Sequence, residues 1–262
     1  MIPLKDYNPT SRFPWVTVLL IAACAAVYFG MQPGGKSTFV QSDAQNRAGQ
    51  DLKFTVEHAA IPCEIVKGRP LSDDEIRRTF VDGDGTACET SPTSAQDFPH
   101  KNVYLAILYS MFLHGSLLHI GGNMLFLWIF GNNIEDRAGP LKYLLFYLAA
   151  GLVATATFVA IQPNSTVPMI GASGAIAGVM GAYLVLFPNV RIRSLLILGF
   201  FVLFRDIPAK WLLLFWFALQ FFTSPSSGVA WTAHVGGFVF GVLVGLVWRA
   251  SGRSQLAPVP PY

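Results

Sequence analysis

Charged residues are scarce in this chain. Aspartate, glutamate, lysine and arginine make up 13% of its 262 residues, whereas hydrophobic residues make up 53%. Soluble domains carry about a quarter charged residues, so this balance excludes an ordinary soluble enzyme and predicts a protein embedded in the lipid bilayer. The 18 basic residues form no stripe, so nucleic acid is not an expected partner.

Long apolar segments predict the architecture, since a helix needs roughly 20 apolar residues to cross the hydrocarbon core. We predict six spans, at 13–31, 115–132, 140–161, 169–187, 208–223 and 230–248. Two shorter runs, 103–113 and 195–204, reach only about half of the core thickness and are interpreted as interfacial or re-entrant pieces. The predicted fold is an all-α polytopic membrane protein with a six-transmembrane-helix bundle.

Lysine and arginine are absent from two short loops, 162–168 and 224–229, whereas the alternate loops contain several. Basic residues favour the cytoplasmic side of short loops, so we expect the two uncharged loops outside and both termini in the cytoplasm. The predicted organisation has four parts: a cytoplasmic segment 1–12, a membrane domain 13–250, its extracytoplasmic insert 32–102 and a disordered tail 251–262.

Two of the three cysteines, Cys63 and Cys88, lie in the insert, on the side where oxidation is permitted. A disulfide between them and a pair of free thiols are both open interpretations. In the chain-entropy view a bridge would contribute about 3 kcal/mol. Within the same insert, Ser72-Asp-Asp-Glu75 has the spacing of a capping box and predicts the start of a short helix.

Acidic residues are absent from all six predicted spans, yet a few polar side chains interrupt them. In the predicted topology His119, Asn123, Ser173 and His234 all lie near outer ends of spans, with Ser173 on the order of 7 Å deep. Polar groups at one depth in a membrane indicate a site. Ser173 and His234 have the chemistry of a nucleophile and its general base. Because no carboxylate is available within the spans, a Ser–His dyad is the expected form.

Glycines follow the serine and the histidine at four-residue spacing. Span four contains Gly174 and Gly178, and span six contains Gly237, Gly241 and Gly245 on the face of His234. Small residues at this spacing let two helix backbones approach closely in lipid, so we expect spans four and six to be in contact. His119 and Asn123, four residues apart on one helical face, would supply donors for a developing oxyanion.

Three segments together resemble the rhomboid intramembrane serine proteases: His114–Asn123, Gly171–Gly174 and Ala233–Gly241. The resemblance covers spans two to six in the family's order. It implies Ser173 as nucleophile, His234 as base, and His119 and Asn123 as oxyanion-hole donors. The resemblance also implies a structural role for further motif residues: His114, Glu135, Arg137, Gly171, Gly174, Gly237 and Gly241.

The resemblance also implies what the protein acts on. The expected substrate is a transmembrane segment of another protein, cut near its outer end without metal or cofactor. Trp211, Phe215 and Trp216 of span five would form a substrate gate, and the loop 224–228 would form a cap. One departure is Ala177, where some members have an aromatic ring that stacks on the histidine. The compact six-span form favours a bacterial plasma membrane.

Two other functions fit parts of the sequence. A catalytically silent rhomboid-like protein would bind membrane clients without cutting them, and its hallmark would be a missing serine or histidine. A small transporter or channel would spread polar residues through the membrane depth and pair its charges, and the sequence has neither feature. The serine endopeptidase is the leading hypothesis.

Overall fold

The structure, a computed structural model, describes residues 1–36, 44–198, 201–222 and 230–251, with the backbone alone for 44–47 and 198. Two compact units divide the chain. Unit one comprises Met1–Ile21, Gly122–Ala154 and Ser173–Tyr262, and unit two comprises Ala22–Gly121 and Thr155–Ala172. The predicted cap loop 224–228, and the predicted tail 251–262 beyond Ser251, lie outside the described residues.

The described part of the chain is mostly helical. In chain order the helices are α1 (Trp15–Gly30), α2 (Pro33–Lys36), α3 (Ala44–His58), α4 (Pro62–Lys67), α5 (Asp73–Phe80), α6 (Leu105–Ser110), α7 (Leu117–Phe126), α8 (Asn132–Ala138), α9 (Pro140–Ile161), α10 (Ser173–Leu186), α11 (Ala209–Gln220) and α12 (Trp231–Ala250). A π-helical turn, Leu127–Gly131, joins α7 to α8.

Two described helices, α9 and α12, are long and apolar enough to cross a membrane by length and composition. The apolar helices α1, α10 and α11 are shorter, with 16, 14 and 12 residues. These five helices and the α7–α8 run overlap the six predicted spans, and α9 has the same limits as span three. The α7–α8 run extends beyond residue 132 to Ala138, and α10 begins at Ser173 and not at 169. The number of spans stays a prediction. The run 103–113 contains only the six-residue α6.

The prediction of an all-α protein is wrong in one region. Strands β1 (Ile2–Asp6), β2 (Arg191–Leu198) and β3 (Phe201–Pro208) form an antiparallel sheet in that order. Residues 195–198 and 201–204 of the apolar run therefore pair as two antiparallel strands. A short apolar run has no periodicity that separates helix from strand, and β1 comes from the opposite end of the chain, so the sequence pattern did not reveal the pairing.

A buried carboxylate connects the sheet with the helices of unit one. Asp6 Oδ2, at the end of β1, accepts hydrogen bonds from Tyr183 Oη at 3.1 Å and from Asn133 Nδ2 at 2.6 Å. Burial raises the pKa of the Asp6 carboxyl. Because a buried polar group costs free energy unless it is hydrogen-bonded, these donors stabilise the position of β1 against α8 and α10.

Glu135, predicted as a structural motif residue, caps the start of α1. Its carboxylate accepts hydrogen bonds from Val16 N, Thr17 N and Thr17 Oγ1, each at 2.8 Å. A carboxylate at a helix N-terminus accepts hydrogen bonds from backbone N–H groups that have no partner within the helix. Its negative charge also interacts favourably with the positive end of the helix dipole. Arg137 lies two residues later in α8, where it lines a small surface pocket with Lys142 and Trp248.

The insert in unit two has a small core of its own, formed by Val56, Ile61, Cys63 and Leu71. The predicted capping box is confirmed at the start of α5. Ser72 Oγ accepts a hydrogen bond from Glu75 N at 3.3 Å, and the Glu75 carboxylate accepts one from Ser72 N at 2.8 Å. The insert is thus a folded element within unit two.

A disulfide bond joins Cys63 to Cys88 in the insert. Beside it, the two terminal nitrogens of the Arg69 guanidinium each donate to the Glu75 carboxylate at 2.8 Å. Among the described residues, Cys63, Glu75 and Cys88 are the one cluster of three side chains with metal-ligating atoms in close range. The disulfide removes the two thiolates that a metal would need, so we assign the cluster a structural role.

Candidate active site

The contact between α10 and α12 is made by glycines from both helices. A β-carbon on Gly237 would collide with the carbonyl oxygen of Gly174, and one on Gly241 would collide with that of Gly178. A β-carbon on Gly174 would lie 2.6 Å from the β-carbon of Ala154 in α9. Because the side chain of glycine is a single hydrogen atom, the two helix backbones can approach this closely.

This contact places the serine beside the histidine. Ser173 is the first residue of α10, and His234 is in the first turn of α12. The distance from Ser173 Oγ to His234 Nε2 is 2.8 Å, and both side chains are half-buried. A hydroxyl at this distance from a ring nitrogen can transfer its proton to it, which makes the oxygen a nucleophile.

The backbone turns sharply before the serine. Gly171 has a φ of 118°, a region that residues with a β-carbon rarely adopt. Its N–H donates to the carbonyl oxygen of Ser110 at 2.9 Å, a contact within unit two. The glycine at this position is therefore required by the turn that leads the chain into α10.

The other ring nitrogen of His234 has a partner that the sequence did not predict. His234 Nδ1 lies 2.8 Å from Oε1 of Gln220, the last residue of α11. The Gln220 side chain is buried, and its Nε2 donates to the Trp216 carbonyl oxygen at 3.1 Å. Gln220 is a polar residue within predicted span 208–223, so the search for polar groups in apolar segments could have found it.

The predicted gate residues occupy different surroundings on α11. The Trp216 ring lies 5.9 Å from the His234 ring and 6.1 Å from the Phe238 ring. Trp211 and Phe215 are more than half exposed. Ala177 is fully buried in α10, so the aromatic contact of the histidine comes from α11 and not from the position four residues after Ser173.

The predicted oxyanion donors are on α7. Asn123, in unit one, is buried, and its Nδ2 has no hydrogen-bond partner among the described residues, which leaves it available to a ligand. His119 and His114 belong to unit two, where their rings meet edge to face with centroids 5.2 Å apart. The Gln32 side chain bonds both the N–H and the carbonyl of His114, which holds this turn in place.

Comparison with known proteins gives the family. The sequence model of the Rhomboid domain matches residues 101–251, more than half of the chain. The chain therefore belongs to the rhomboid family.

Individual relatives match a smaller part of their own length. Rhomboid protein 1, mitochondrial, of Saccharomyces cerevisiae is 29% identical over 150 residues, which are 54% of this chain and 41% of the relative. Presenilin-associated rhomboid-like protein, mitochondrial, of Homo sapiens is 30% identical over 143 residues, 52% of this chain and 36% of the relative. Rhomboid protease GluP of Bacillus subtilis is 38% identical over 78 residues, 30% of this chain and 15% of the relative.

The match thus spans less than half the length of each of these relatives. Two of the three are mitochondrial by name, which does not fit the predicted bacterial plasma membrane. Membership of the rhomboid family together with the apolar helices supports an integral membrane protein.

Proposed function

We propose that this rhomboid-family protein is an intramembrane serine endopeptidase. The observation that carries the proposal is the 2.8 Å distance between Ser173 Oγ and His234 Nε2 within an apolar helix pair. Hydrogen-bond contact between a hydroxyl and an imidazole is the arrangement of an activated nucleophile. One relative, GluP, is named a rhomboid protease, which supports the same class of reaction.

In the proposed reaction His234 transfers two protons in turn, the first from Ser173 and the second from water. Nε2 accepts the proton of Ser173 as Oγ bonds to the carbonyl carbon of the scissile peptide, and gives it to the leaving nitrogen as the C–N bond breaks. Water then attacks the acyl-enzyme: Nε2 takes a proton from water as the water oxygen bonds to the acyl carbon, and gives that proton to Ser173 Oγ as the ester bond breaks and the acid product leaves. Both steps need Nε2 without a proton at the start.

The charge on the former carbonyl oxygen needs donors. We propose Asn123 Nδ2, whose lack of a partner among the described residues supports this role, together with the backbone N–H groups that open α10. The same role for His119, which belongs to unit two, stays a prediction from the sequence. Donors fixed before the reaction stabilise the oxyanion more strongly than water does, because they need no reorganisation.

The proposed substrates are transmembrane segments of other membrane proteins, cut near the outer face. This rests on six spans with both termini in the cytoplasm, which the distribution of lysine and arginine supports. Impermeant maleimide should label Asn164→Cys from the outer face and Ser251→Cys only after permeabilisation, since both positions are exposed. Labelling of both from the same face would contradict this topology.

The function is tested by labelling the purified protein with a fluorophosphonate probe. Ser173→Ala should abolish labelling because the probe bonds to that oxygen, and His234→Ala should slow it by about 10²- to 10⁴-fold, the contribution of a general base. Ser251→Ala and His100→Ala, both at exposed positions, are the matched controls and should label normally. Equal labelling of Ser173→Ala and wild type would reject the endopeptidase and favour a silent, client-binding rhomboid.

A further inference from the structure

We propose that Gln220 is a positioning residue for this site, holding the His234 imidazole in the one tautomer that can accept the Ser173 proton. The proposal deepens the proposed serine endopeptidase and rests on it. The site would then consist of three hydrogen-bonded residues, Ser173, His234 and Gln220, and the third is a neutral amide that positions the imidazole.

The orientation of the Gln220 amide follows from its second hydrogen bond. The Trp216 carbonyl oxygen is an acceptor only, and it lies 3.1 Å from Gln220 Nε2. The NH₂ group must therefore face Trp216, and the amide oxygen must face the histidine. Flipping the amide would place its oxygen against the Trp216 carbonyl oxygen, two acceptors without a hydrogen between them in a buried position.

The orientation of the amide fixes the proton on the imidazole. Gln220 Oε1 can only accept, so His234 Nδ1, 2.8 Å away, must donate and carry the hydrogen. A neutral imidazole then has its lone pair on Nε2, which faces Ser173 Oγ at 2.8 Å. In the opposite tautomer Nε2–H would point at the serine oxygen, and the serine proton would have no base.

The packing around Gln220 supports a fixed geometry. Gln220 is 7% exposed and ends α11, and Trp216 lies one turn earlier on the same helix. The Trp216 ring contacts the rings of both His234 and Phe238, which are one turn apart on α12. One face of α11 thus contacts His234 through a hydrogen bond and through an aromatic ring.

A neutral acceptor suits an apolar surrounding. The sequences of α10, α11 and α12 contain no aspartate or glutamate. A carboxylate beside His234 would have to be desolvated when the helices pack, at a cost that an amide avoids. When the imidazole becomes charged during the reaction, the Gln220 carbonyl oxygen still accepts the hydrogen bond from Nδ1–H, so this hydrogen bond persists through the step.

The first test uses Gln220→Leu and Gln220→Met, which keep the volume but remove the acceptor. The maximal rate of fluorophosphonate labelling should fall by about 100-fold, the lower end of what general-base catalysis contributes. The half-saturating probe concentration should stay the same, because the defect is in the chemical step. Leu214→Ala, at an exposed position of the same helix, is the control and should label like the wild type.

The second test reads the tautomer directly and needs no activity. In ¹⁵N spectra of histidine-labelled protein, the His234 signal, assigned through its loss in His234→Ala, should show a proton on Nδ1 in the wild type. A proton on Nε2 would overturn the proposal, even if the variants failed to fold. Wild-type labelling rates in both Gln220 variants would also overturn it while leaving the endopeptidase intact. Normal labelling of Ser173→Ala would instead reject the endopeptidase.

Discussion

The α10–α12 pair and the insert are stabilised in different ways. In the helix pair, glycines let backbone contact backbone, and the one charged residue in either helix is Arg249 near the end of α12. In the insert, a disulfide, the capping box and the bidentate Arg69–Glu75 pair surround a core of few apolar residues. Lys101 Nζ also lies 2.5 Å from Glu64 Oε2 in a buried pair.

The difference follows from the expected surroundings of each region. Between helices in lipid there is no hydrophobic driving force, so close packing of small residues supplies the attraction. A small domain in water buries too little apolar surface to be stable on that alone, so covalent and charged contacts add to it. The stability of the helix pair should therefore depend on the volume of the side chains in the contact. The stability of the insert should depend on its charged side chains and on the redox state of its disulfide.

The largest effect is expected from added volume in the helix pair. Gly241→Leu would drive a side chain into the Gly178 carbonyl, so the helices must separate and carry Ser173 away from His234. Probe labelling should be lost, and the cost should exceed the 1–3 kcal/mol that is typical of overpacking, because backbone cannot yield as a side chain does. Gly121→Leu, where a β-carbon meets nothing within 4 Å, is the control for thermal stability.

Removal of the disulfide should have an intermediate effect. Cys63 and Cys88 are 25 residues apart, and for a loop of this length the loss is about 3 kcal/mol. Replacing both by serine should lower the midpoint of thermal unfolding, and a reductant should lower the wild-type midpoint equally. A reductant effect that persists in the double variant would show that another group is responsible.

The smallest effect is expected from one carboxylate, and it should depend on pH. Burial acts to raise the pKa of Glu75, but hydrogen bonds from Arg69 and from the N–H groups of Glu89 and Ser72 bring it below 4.5. Its contribution is therefore present above pH 4.5 and is lost as the pH falls through the lower, folded pKa. Glu75→Gln should cost about 2 kcal/mol at pH 7, as expected for hydrogen bonds to a charged group.

The measurement for Glu75 is a series of unfolding curves between pH 7 and pH 3. The gap between wild type and Glu75→Gln should close as the pH falls, because the protonated wild type has lost the same charge. Asp97→Asn, at an exposed position, should follow the wild type throughout. A gap of constant size would contradict the ionic origin of the effect.

The sequence predicted the parts of the site that depend on local pattern. Glycines four residues apart lie on one face of any helix, so the contact between spans four and six could be inferred without coordinates. The capping box at Ser72 is likewise local, since donor and acceptor are three residues apart. Strand β1 was missed because its partner strand β2 is distant in the chain. Gln220 interrupts an apolar span as the predicted site residues do, but its position in the sequence does not show that its side chain faces His234.

By itself, the sequence determined that this is an apolar, helical chain. It also determined that Ser173 and His234 are each followed by glycines four residues apart, which lie on one face of a helix. Scarcity of charge and periodic spacing suffice for that, because both act within single segments. Only the tertiary structure decided that residues 195–198 and 201–204 pair as strands, and that Gln220 faces the second nitrogen of His234. Hydrogen bonds between segments depend on how whole helices and strands are oriented against each other, and the spacing of residues within one segment does not specify that orientation.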